Sequence, residues 1–211
     1  MSAAALPPRQ KSRDRYLDAV LAIVAQDGHE ALTVRRLAEY TGLSFPTLYH
    51  HFTDLKDLMF EARQKQIQRL FYEIRPEQAE STDVPSGIYT LKEQLRAYVR
   101  YFLEHPHIFR FLFTVPFQRS AQASSIQPET DELPDFSLVW QQAFQDLVAD
   151  GTVTASAVGR LAHTLIYCMH GLILLVLAGA DGLTQDQALQ ELDATVDLLL
   201  DSGKGQNHAN E

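Results

Sequence analysis

Hydroxyl, imidazole and aromatic side chains are concentrated in the stretch SFPTLYHH at residues 44–51. If this stretch forms one helix, Leu48 and Phe52 lie four residues apart and face inward. The rest of its surface then carries donors and flat rings, namely Phe45, Thr47, Tyr49, His50 and His51. Such side chains bond to phosphates and contact base edges, so the chemistry indicated here is recognition of nucleic acid.

Metal-dependent catalysis is the other chemistry to consider, because the chain contains eight histidines. His50 and His51 are adjacent and point to different faces of a helix, and His105 and His107 flank a proline. The paired spacing HExxH does not occur in the sequence. A metal-dependent helical enzyme is therefore weakly supported, and we expect no catalytic residues, no metal and no cofactor.

Two short helices must position the candidate side chains, and they meet at Gly42. Thr33 can cap the first helix with its hydroxyl, and glycine ends that helix because it adopts the left-handed conformation without a steric penalty. Ser44 is a suitable cap for the second helix, and Pro46 is tolerated only in a first turn. The region from Ala31 to Phe52 is therefore predicted to be a helix-turn-helix that binds DNA.

Charge is divided unevenly along the chain, whose net charge is -9. Through Arg75 there are 11 Lys or Arg against 9 Asp or Glu, whereas the remainder has 7 against 18. The basic side chains that precede or join the motif are Arg9, Lys11, Arg13, Arg15, Arg35 and Arg36. We expect them to reach along a phosphate backbone, although an N-terminal basic cluster is equally often a solvated tail.

Size and composition favour a folded helical protein in a reducing compartment. The 211 residues, 45% of them hydrophobic, can bury a substantial core. A single cysteine, Cys168, excludes an intrachain disulfide, and the N-terminus lacks the apolar core of a signal peptide, so a cytoplasmic location is expected. The apolar run from Leu165 to Ala180 is shorter than a membrane span and contains His170, which favours a buried helix.

Helical periodicity extends through most of the chain and predicts an all-α fold of about nine helices. A first helix closes at Gly28, and a fourth begins at Asp54, where Asp57 can act as a reciprocal cap. The segments predicted as further helices are 88–102, 107–114, 136–149, 155–178 and 185–200, and those predicted as loops are 77–87 and 119–134. The predicted division is a helix-turn-helix domain at 1–56 and a larger domain at 57–211.

The last two helices carry more apolar surface than one face can bury. Leu189, Leu192, Val196 and Leu199 alternate spacings of three and four, as along a coiled-coil seam. The helix before this seam, predicted at 155–178, is apolar nearly all round. A homodimer through these helices is the preferred interpretation, with Leu172 and Val176 joining the seam, and a two-sided core helix within a monomer is the alternative.

From Leu17 through Leu58 the sequence resembles the DNA-binding domain of the tetracycline-repressor-like (TetR) family of bacterial regulators. The resemblance rests on several independent spacings. These are the first helix ending in Gly28, Ala31-Leu32-Thr33, Leu37-Ala38, Gly42-Leu43-Ser44, Thr47-Leu48-Tyr49 and His51-Phe52. The resemblance implies an all-helical homodimer that binds a palindromic operator, with a larger C-terminal domain that binds a small molecule and dimerises.

The resemblance also implies roles for individual residues. Arg35 matches a position that approaches DNA, and Thr33 and Val34 match a helix start near the backbone. The implied DNA-binding set is Thr33, Arg35, Ser44, Phe45, Pro46, Thr47, Tyr49, His50, His51 and Lys56. Phe45, Pro46 and Thr47 would enter the major groove, and Tyr49 and His51 would contact phosphates. A packed tyrosine and a solvated histidine are the alternatives for the last two, and Leu55 stands where many relatives have a lysine.

The function expected on this basis is a ligand-responsive regulator without catalytic activity, most often a repressor in this family. An effector site is suggested by aromatic residues with a few polar points, which suit a small apolar or aromatic compound. The candidates are Tyr98, Phe102, Phe109, Phe113, Trp140, Phe144, His163, Tyr167 and His170. The alternative is that they are ordinary core, and a protein-binding adaptor that uses the acidic C-terminal half is the competing function.

Overall fold

The computed structural model describes residues 8–74, 87–116 and 140–205. This part of the chain forms nine α-helices and contains no strand, which confirms the predicted all-α fold. The helices are α1 (Pro8–Asp27), α2 (Val34–Thr41), α3 (Phe45–His51), α4 (Leu55–Glu73), α5 (Gly87–Glu104), α6 (Pro106–Phe113), α7 (Gln141–Ala149), α8 (Ala155–Leu177) and α9 (Gln185–Gly205). The predicted loop at 119–134, most of that at 77–87 and the predicted helix start at 136 lie outside the described residues.

The chain divides into two compact units. The first consists of residues 1–70 and 105–134, and the second of residues 71–104 and 135–211. The boundary that we predicted after residue 56 falls in the first turn of α4, whereas the units divide near the end of that helix. Helix α6 belongs to the first unit although it lies far along the chain, and sequence periodicity carries no signal for that placement.

In the first unit α1 packs against α2, α3 and α6. Its apolar stripe forms the core with the inner faces of the motif helices, and the residues buried there include Val20, Val24, Leu37, Leu48 and Phe52. This packing supplies the core that the two short motif helices cannot form alone. The inward orientation predicted for Leu48 and Phe52 is confirmed.

Gly28 lies where α1 passes close to α6. Its φ of +83° is in the region that favours glycine, and a Cβ there would lie 2.8 Å from Glu30 Oε2 and 3.1 Å from His107 Nδ1. Nearby in the same unit, the buried Arg63 of α4 donates from Nε to the carbonyl oxygen of Leu112 at 3.1 Å. Helix α6 is therefore fixed by both packing and a buried charge-assisted hydrogen bond.

In the second unit α5 packs against α7, α8 and α9. Gly87 brings the start of α5 against α7, because a Cβ there would lie 3.1 Å from the backbone nitrogen of Leu147. Two ion-pair sites join α5 to α9. Lys92 Nζ lies 2.6 Å from an oxygen of Asp197, and Arg96 binds Asp193, with Nε 3.0 Å from one carboxylate oxygen.

Helix α9 turns its seam towards the core of its own unit. Leu192 and Val196 are fully buried there, and Leu189 is nearly so. The prediction that Leu192 and Val196 contact a second chain is wrong, because neither has exposed surface, and Leu189, which is 8% exposed, has almost none. The sequence shows that the seam is apolar but cannot show which helix it faces.

Helix α8 is only partly covered. By length and apolar composition it is the one helix in the described part of the chain that could cross a membrane, yet only 28% of its most apolar stretch is buried. The prediction of a buried helix therefore holds for one face, on which Leu165, Met169 and Ile173 lie. Tyr167, Leu174 and Leu175 are exposed.

Candidate nucleic-acid interface

The turn between α2 and α3 is fixed by local hydrogen bonds. Thr33 caps α2, its hydroxyl accepting from the backbone nitrogen of Arg36 at 3.1 Å, and Gly42 ends the helix with a φ of 66°, as predicted. The buried Thr41 hydroxyl donates to the carbonyl oxygen of Leu37 at 2.7 Å and accepts from the nitrogen of Leu43 at 3.2 Å. A rigid turn of this kind sets the angle at which α3 leaves α2.

Helix α3 presents an aromatic and polar face to solvent. Phe45 and Tyr49, one turn apart, are 47% and 56% exposed, and Pro46 and His50 are also exposed. Ser44 occupies the cap position but differs from the prediction: its hydroxyl lies 2.9 Å from the Thr47 hydroxyl and makes no cap hydrogen bond. The two hydroxyls thus form a polar pair at the tip of the helix.

Helix α1 anchors α3 through Tyr16, a residue for which the sequence predicts no role. The Tyr16 hydroxyl donates to the carbonyl oxygen of Ser44 at 3.1 Å, and its ring meets that of Phe52 edge-on at 6.3 Å. Burial is the main cause of the raised pKa of Tyr16, so the phenol stays protonated and can donate. The one sequence signal for this contact is that Tyr16 is the single tyrosine in the apolar stripe of α1.

Tyr49 and His51 differ in their surroundings. Because Tyr49 is exposed, the alternative of a packed tyrosine is wrong. His51 is half-buried, with its ring centroid 6.5 Å from that of Tyr16 and 5.3 Å from that of His50, so the alternative of a fully solvated histidine is also wrong. The Tyr49 ring is therefore accessible to a binding partner, whereas the His51 ring is held in position by its neighbours.

Most of the predicted basic cluster takes part in intramolecular bonds. Arg13 forms an ion pair with Glu61, Arg36 with Asp27, and Arg15 donates to the carbonyl oxygen of Thr41. These side chains are thus engaged within the chain in this conformation, and their contact with a phosphate backbone stays a prediction. Lys11 is exposed, and the side chain of Arg9 lies outside the described residues.

Arg35 and Lys56 remain as accessible cations at the motif. Arg35 has 84% of its side chain exposed and lies 2.9 Å from Glu39, whose hydrogen bond is the main cause of its raised pKa. Lys56 is exposed in the first turn of α4, where Asp54 accepts from the backbone nitrogen of Asp57 at 2.8 Å, as predicted. The return bond differs from the prediction, because Asp57 accepts from the backbone nitrogen of Thr53, at 2.9 Å, and not from that of Asp54. One accessible cation, Arg35, therefore precedes α3 in the sequence, and the other, Lys56, follows it.

The candidate effector residues are only partly brought together. Within the second unit Tyr98, Phe102, Trp140 and Phe144 are buried, and the Tyr98 hydroxyl lies 2.7 Å from His170 Nε2. His163 and Tyr167 are exposed on α8, with their rings stacked at 6.4 Å, so neither belongs to that cluster. Phe109 and Phe113 lie on α6, in the first unit, 5.2 Å apart. Among the described residues no group of three or more metal-ligating side chains occurs.

Comparison with known proteins gives the family. The sequence profile described as "Bacterial regulatory proteins, tetR family" matches residues 17–62, which contain the interface described above. A second profile, "Tetracyclin repressor-like, C-terminal domain", matches residues 91–202 and by itself covers more than half of the chain. The chain belongs to the TetR family. The resemblance drawn from the motif is thereby confirmed.

Two curated proteins, both named HTH-type transcriptional repressors, are similar in one segment. AcnR of Corynebacterium glutamicum is 36% identical over 70 residues, which are 33% of this chain and 37% of AcnR. KstR of Mycolicibacterium smegmatis is 34% identical over 62 residues, 29% of this chain and 30% of KstR. The match thus spans about a third of the length of each relative.

Solved TetR-family structures share the fold over nearly the whole chain. A TetR-family regulator from a Rhodococcus species has a TM-score of 0.61 at 24% identity, covering 90% of this chain and 99% of that one. RolR in complex with its ligand resorcinol has a TM-score of 0.62 at 15% identity, covering 89% and 86%. At these identities the likeness establishes the common fold alone.

Proposed function

We propose that this TetR-family protein is a DNA-binding transcriptional repressor that is released from its operator by a small molecule. The observation that carries the proposal is the exposed face of α3. Phe45 and Tyr49 lie open to solvent on a helix that Tyr16 anchors from behind, and Arg35 and Lys56 stand at either side of it in the sequence. An exposed aromatic and polar face on a rigidly held helix suits the major groove.

The residues divide into two roles. Phe45, Pro46 and Thr47 occupy the first turn of α3, which enters the groove, and Phe45 can make apolar contact with a thymine methyl. The remaining residues of the predicted set hold the phosphates: Thr33, Arg35, Ser44, Tyr49, His50, His51 and Lys56. Phosphate contacts fix the position of the protein, and the groove residues provide its sequence preference.

The protein acts as a homodimer on a palindromic operator. The exposed face of α8 supports this, because Tyr167, Leu174 and Leu175 form an apolar surface that a second copy would cover. Leu198 of α9 is also exposed and extends the proposed contact. Leu172, Val176 and Leu199 are partly exposed and stay in the proposed interface, whereas the fully buried seam residues do not.

The effector is a small apolar or aromatic molecule held in the second unit. The buried aromatic cluster around Tyr98 supports this proposal, and so does the complex of the similarly folded RolR with resorcinol. A ligand with higher affinity for one conformation would shift α4, which continues from the first unit into the second, and so change the spacing of the two α3 helices.

The test is a footprint of the purified protein on the DNA that flanks its own gene. We expect protection of an inverted repeat whose half-sites are separated by about one helical turn or a multiple of it. Protection of a single unrepeated site, or of no site at moderate salt, would contradict the proposal. A protein-binding adaptor would give no salt-dependent affinity for duplex DNA.

A further inference from the structure

Two neighbouring residues of α1 bond to the backbone at the two ends of the turn between α2 and α3. Arg15 donates from Nη2 to the carbonyl oxygen of Thr41, the last residue of α2. Tyr16 donates from its hydroxyl to the carbonyl oxygen of Ser44, the residue before α3, at 3.1 Å. Because only residues 42 and 43 lie between Thr41 and Ser44, α1 holds the whole turn. The two side chains together form the α1 clamp.

The α1 clamp closes around a buried site. Tyr16 is 1% exposed and Thr41 is 5% exposed. Burial is the main influence on the pKa of Tyr16 and raises it, whereas the charge of Arg15 and a hydrogen bond with the Thr41 side chain act in the opposite direction. These three side chains therefore lie close together at the turn. A hydrogen bond that is shielded from water in this way is stronger than one made in solvent.

Tyr16 also contacts the other end of α3. Its ring centroid lies 6.3 Å from that of Phe52, edge-on, and 6.5 Å from that of His51. His51 is the last residue of α3, and the helix has only seven residues, about 10 Å along its axis. One side chain of α1 therefore touches both ends of α3. A helix that is held at both ends has a fixed axis, so Tyr16 sets the direction of α3.

The hydroxyl of Tyr16 acts on the first turn of α3, where the proposed groove residues lie. The carbonyl oxygen of Ser44 also accepts from the backbone nitrogen of Thr47, at 3.0 Å, and from that of Leu48, at 3.4 Å. These two bonds close the first turn, which carries Phe45. The α1 clamp is therefore joined to that turn at the oxygen that closes it.

We propose that Arg15 and Tyr16 are positioning residues for operator recognition, which set the direction in which α3 presents Phe45 and Thr47 to the major groove without contacting DNA themselves. This inference rests on the proposed function and names residues that determine its sequence preference. Contacts with base edges carry that preference, and hydrogen bonds weaken steeply when they are misaligned. Attraction to the phosphates is independent of sequence. Loss of the α1 clamp therefore lowers selectivity and spares the general affinity for DNA.

Direct contact with a phosphate is the competing role for Arg15, because this residue is exposed. The two roles differ in their dependence on salt. Loss of one phosphate contact in each half-site lowers the slope of log K against log[salt] by about 2 and weakens binding to every duplex. Loss of positioning leaves the slope unchanged and weakens binding to the operator alone.

The test measures affinity for the footprinted repeat and for a duplex of shuffled sequence, by fluorescence anisotropy over a range of salt concentrations. Tyr16→Phe removes one hydroxyl and keeps the ring, and Arg15→Met removes the donor and keeps an unbranched side chain. Each should weaken binding to the repeat about tenfold and leave the shuffled duplex and the slope unchanged. Thr195→Val is the matched control and should change none of these, because it removes a hydroxyl that donates to a backbone carbonyl within α9, at 2.7 Å.

Three results would overturn the proposal while leaving the regulatory function intact. They are an unchanged affinity of both variants for the repeat, an equal loss on the two duplexes, and a lower slope for Arg15→Met.

Amide hydrogen exchange tests the α1 clamp without DNA and detects a variant that merely unfolds. In Tyr16→Phe the amides of Thr47 and Leu48, which share the Ser44 acceptor with Tyr16, should exchange about tenfold faster. The amides of α9 should keep the rate of the parent protein. Unchanged exchange at Thr47 and Leu48 would overturn the proposal even if operator binding weakened. A parent protein that does not prefer the repeat to the shuffled duplex contradicts the proposed function, and the exchange then decides alone whether Tyr16 fixes α3.

Discussion

At the scale of single residues, the proposed interface depends on whether Arg35 can reach a phosphate. Its guanidinium is almost fully exposed and bonds only to the exposed Glu39 of the same helix among the contacts described. Exposed pairs of this kind are weak and exchange easily for a phosphate. Arg13 instead bonds to Glu61 on another helix, and Arg36 bonds to Asp27 at the end of α1. This difference in partners could not be predicted from the sequence, which shows only that all three residues are basic.

Replacement of Arg35 by alanine should lower operator affinity and its dependence on salt. Loss of one phosphate contact in each half-site of a dimer reduces the slope of log K against log[salt] by about 2. Fluorescence anisotropy between low and moderate salt measures that slope. Arg160→Ala, an exposed arginine of the second unit, is the control and should leave the slope unchanged. If the slope for Arg35→Ala equals that of the parent protein, Arg35 does not contact a phosphate.

His170 predicts a dependence of stability on pH. Burial lowers its pKa to about 4, below the usual value of 6.5. The unfolded chain therefore binds the proton first as the pH falls, so the stability from this group is complete above pH 6.5 and is lost towards pH 4. Between pH 7.5 and 5 the loss should be about 2 kcal/mol.

The variant His170→Gln isolates that effect, because glutamine does not titrate and can still bond to Tyr98. Denaturant unfolding at the two pH values should show a larger loss of stability for the parent protein than for the variant. Identical losses would show that His170 is not buried in its neutral form.

At the scale of elements, the junction between α1 and α6 is the least predictable part of the first unit. The sequence predicts that the first helix ends at Gly28, and the structure confirms it, since α1 ends at Asp27 and Gly28 has a positive φ. The approach of His107 to the same glycine brings together residues far apart in the sequence, and no local pattern announces it. The caps of α2 and α4 were predictable, because a cap is a contact between residues three apart.

Gly28→Ala should destabilise the protein by about 1–3 kcal/mol, because the new Cβ is strained by φ and crowded by Glu30 and His107. Gly159→Ala is the matched control. It lies inside α8 with no atom near its Cβ position, and alanine favours the helix by about 0.5–1 kcal/mol. Urea unfolding of the two variants should thus show opposite signs. A neutral Gly28→Ala would contradict the close approach.

At the scale of the whole molecule, the fold class and the family were predictable, and the side of each C-terminal helix that faces the core was not. Periodicity shows that Leu192, Val196, Leu174 and Leu175 are apolar, but every apolar stripe looks alike until its neighbours are known. The structure buries the first two and exposes the last two. The proposed dimer contact therefore moves from the seam of α9 to the outer face of α8.

Charged residues on that face should dissociate the proposed dimer. We expect the double variant Leu174→Glu, Leu175→Glu to scatter light as a 23.8 kDa monomer, and the parent protein as a particle of twice that mass. Ala157→Glu, exposed near the start of the same helix, should remain dimeric. A monomeric parent protein at micromolar concentration would contradict the dimer, and a dimeric double variant would place its contact elsewhere.

The exposed face of α3 is proposed to bind DNA, and Tyr49→Phe probes that contact with the smallest change, because the substitution removes only a hydroxyl. Tyr89→Phe is the matched control, since Tyr89 is 57% exposed and Tyr49 56%. The measurement is the affinity of each variant for the footprinted repeat by fluorescence anisotropy. We expect a loss of about tenfold for Tyr49→Phe, from one phosphate hydrogen bond in each half-site, and no loss for Tyr89→Phe. Equal affinity of Tyr49→Phe and the parent protein would contradict the proposed contact.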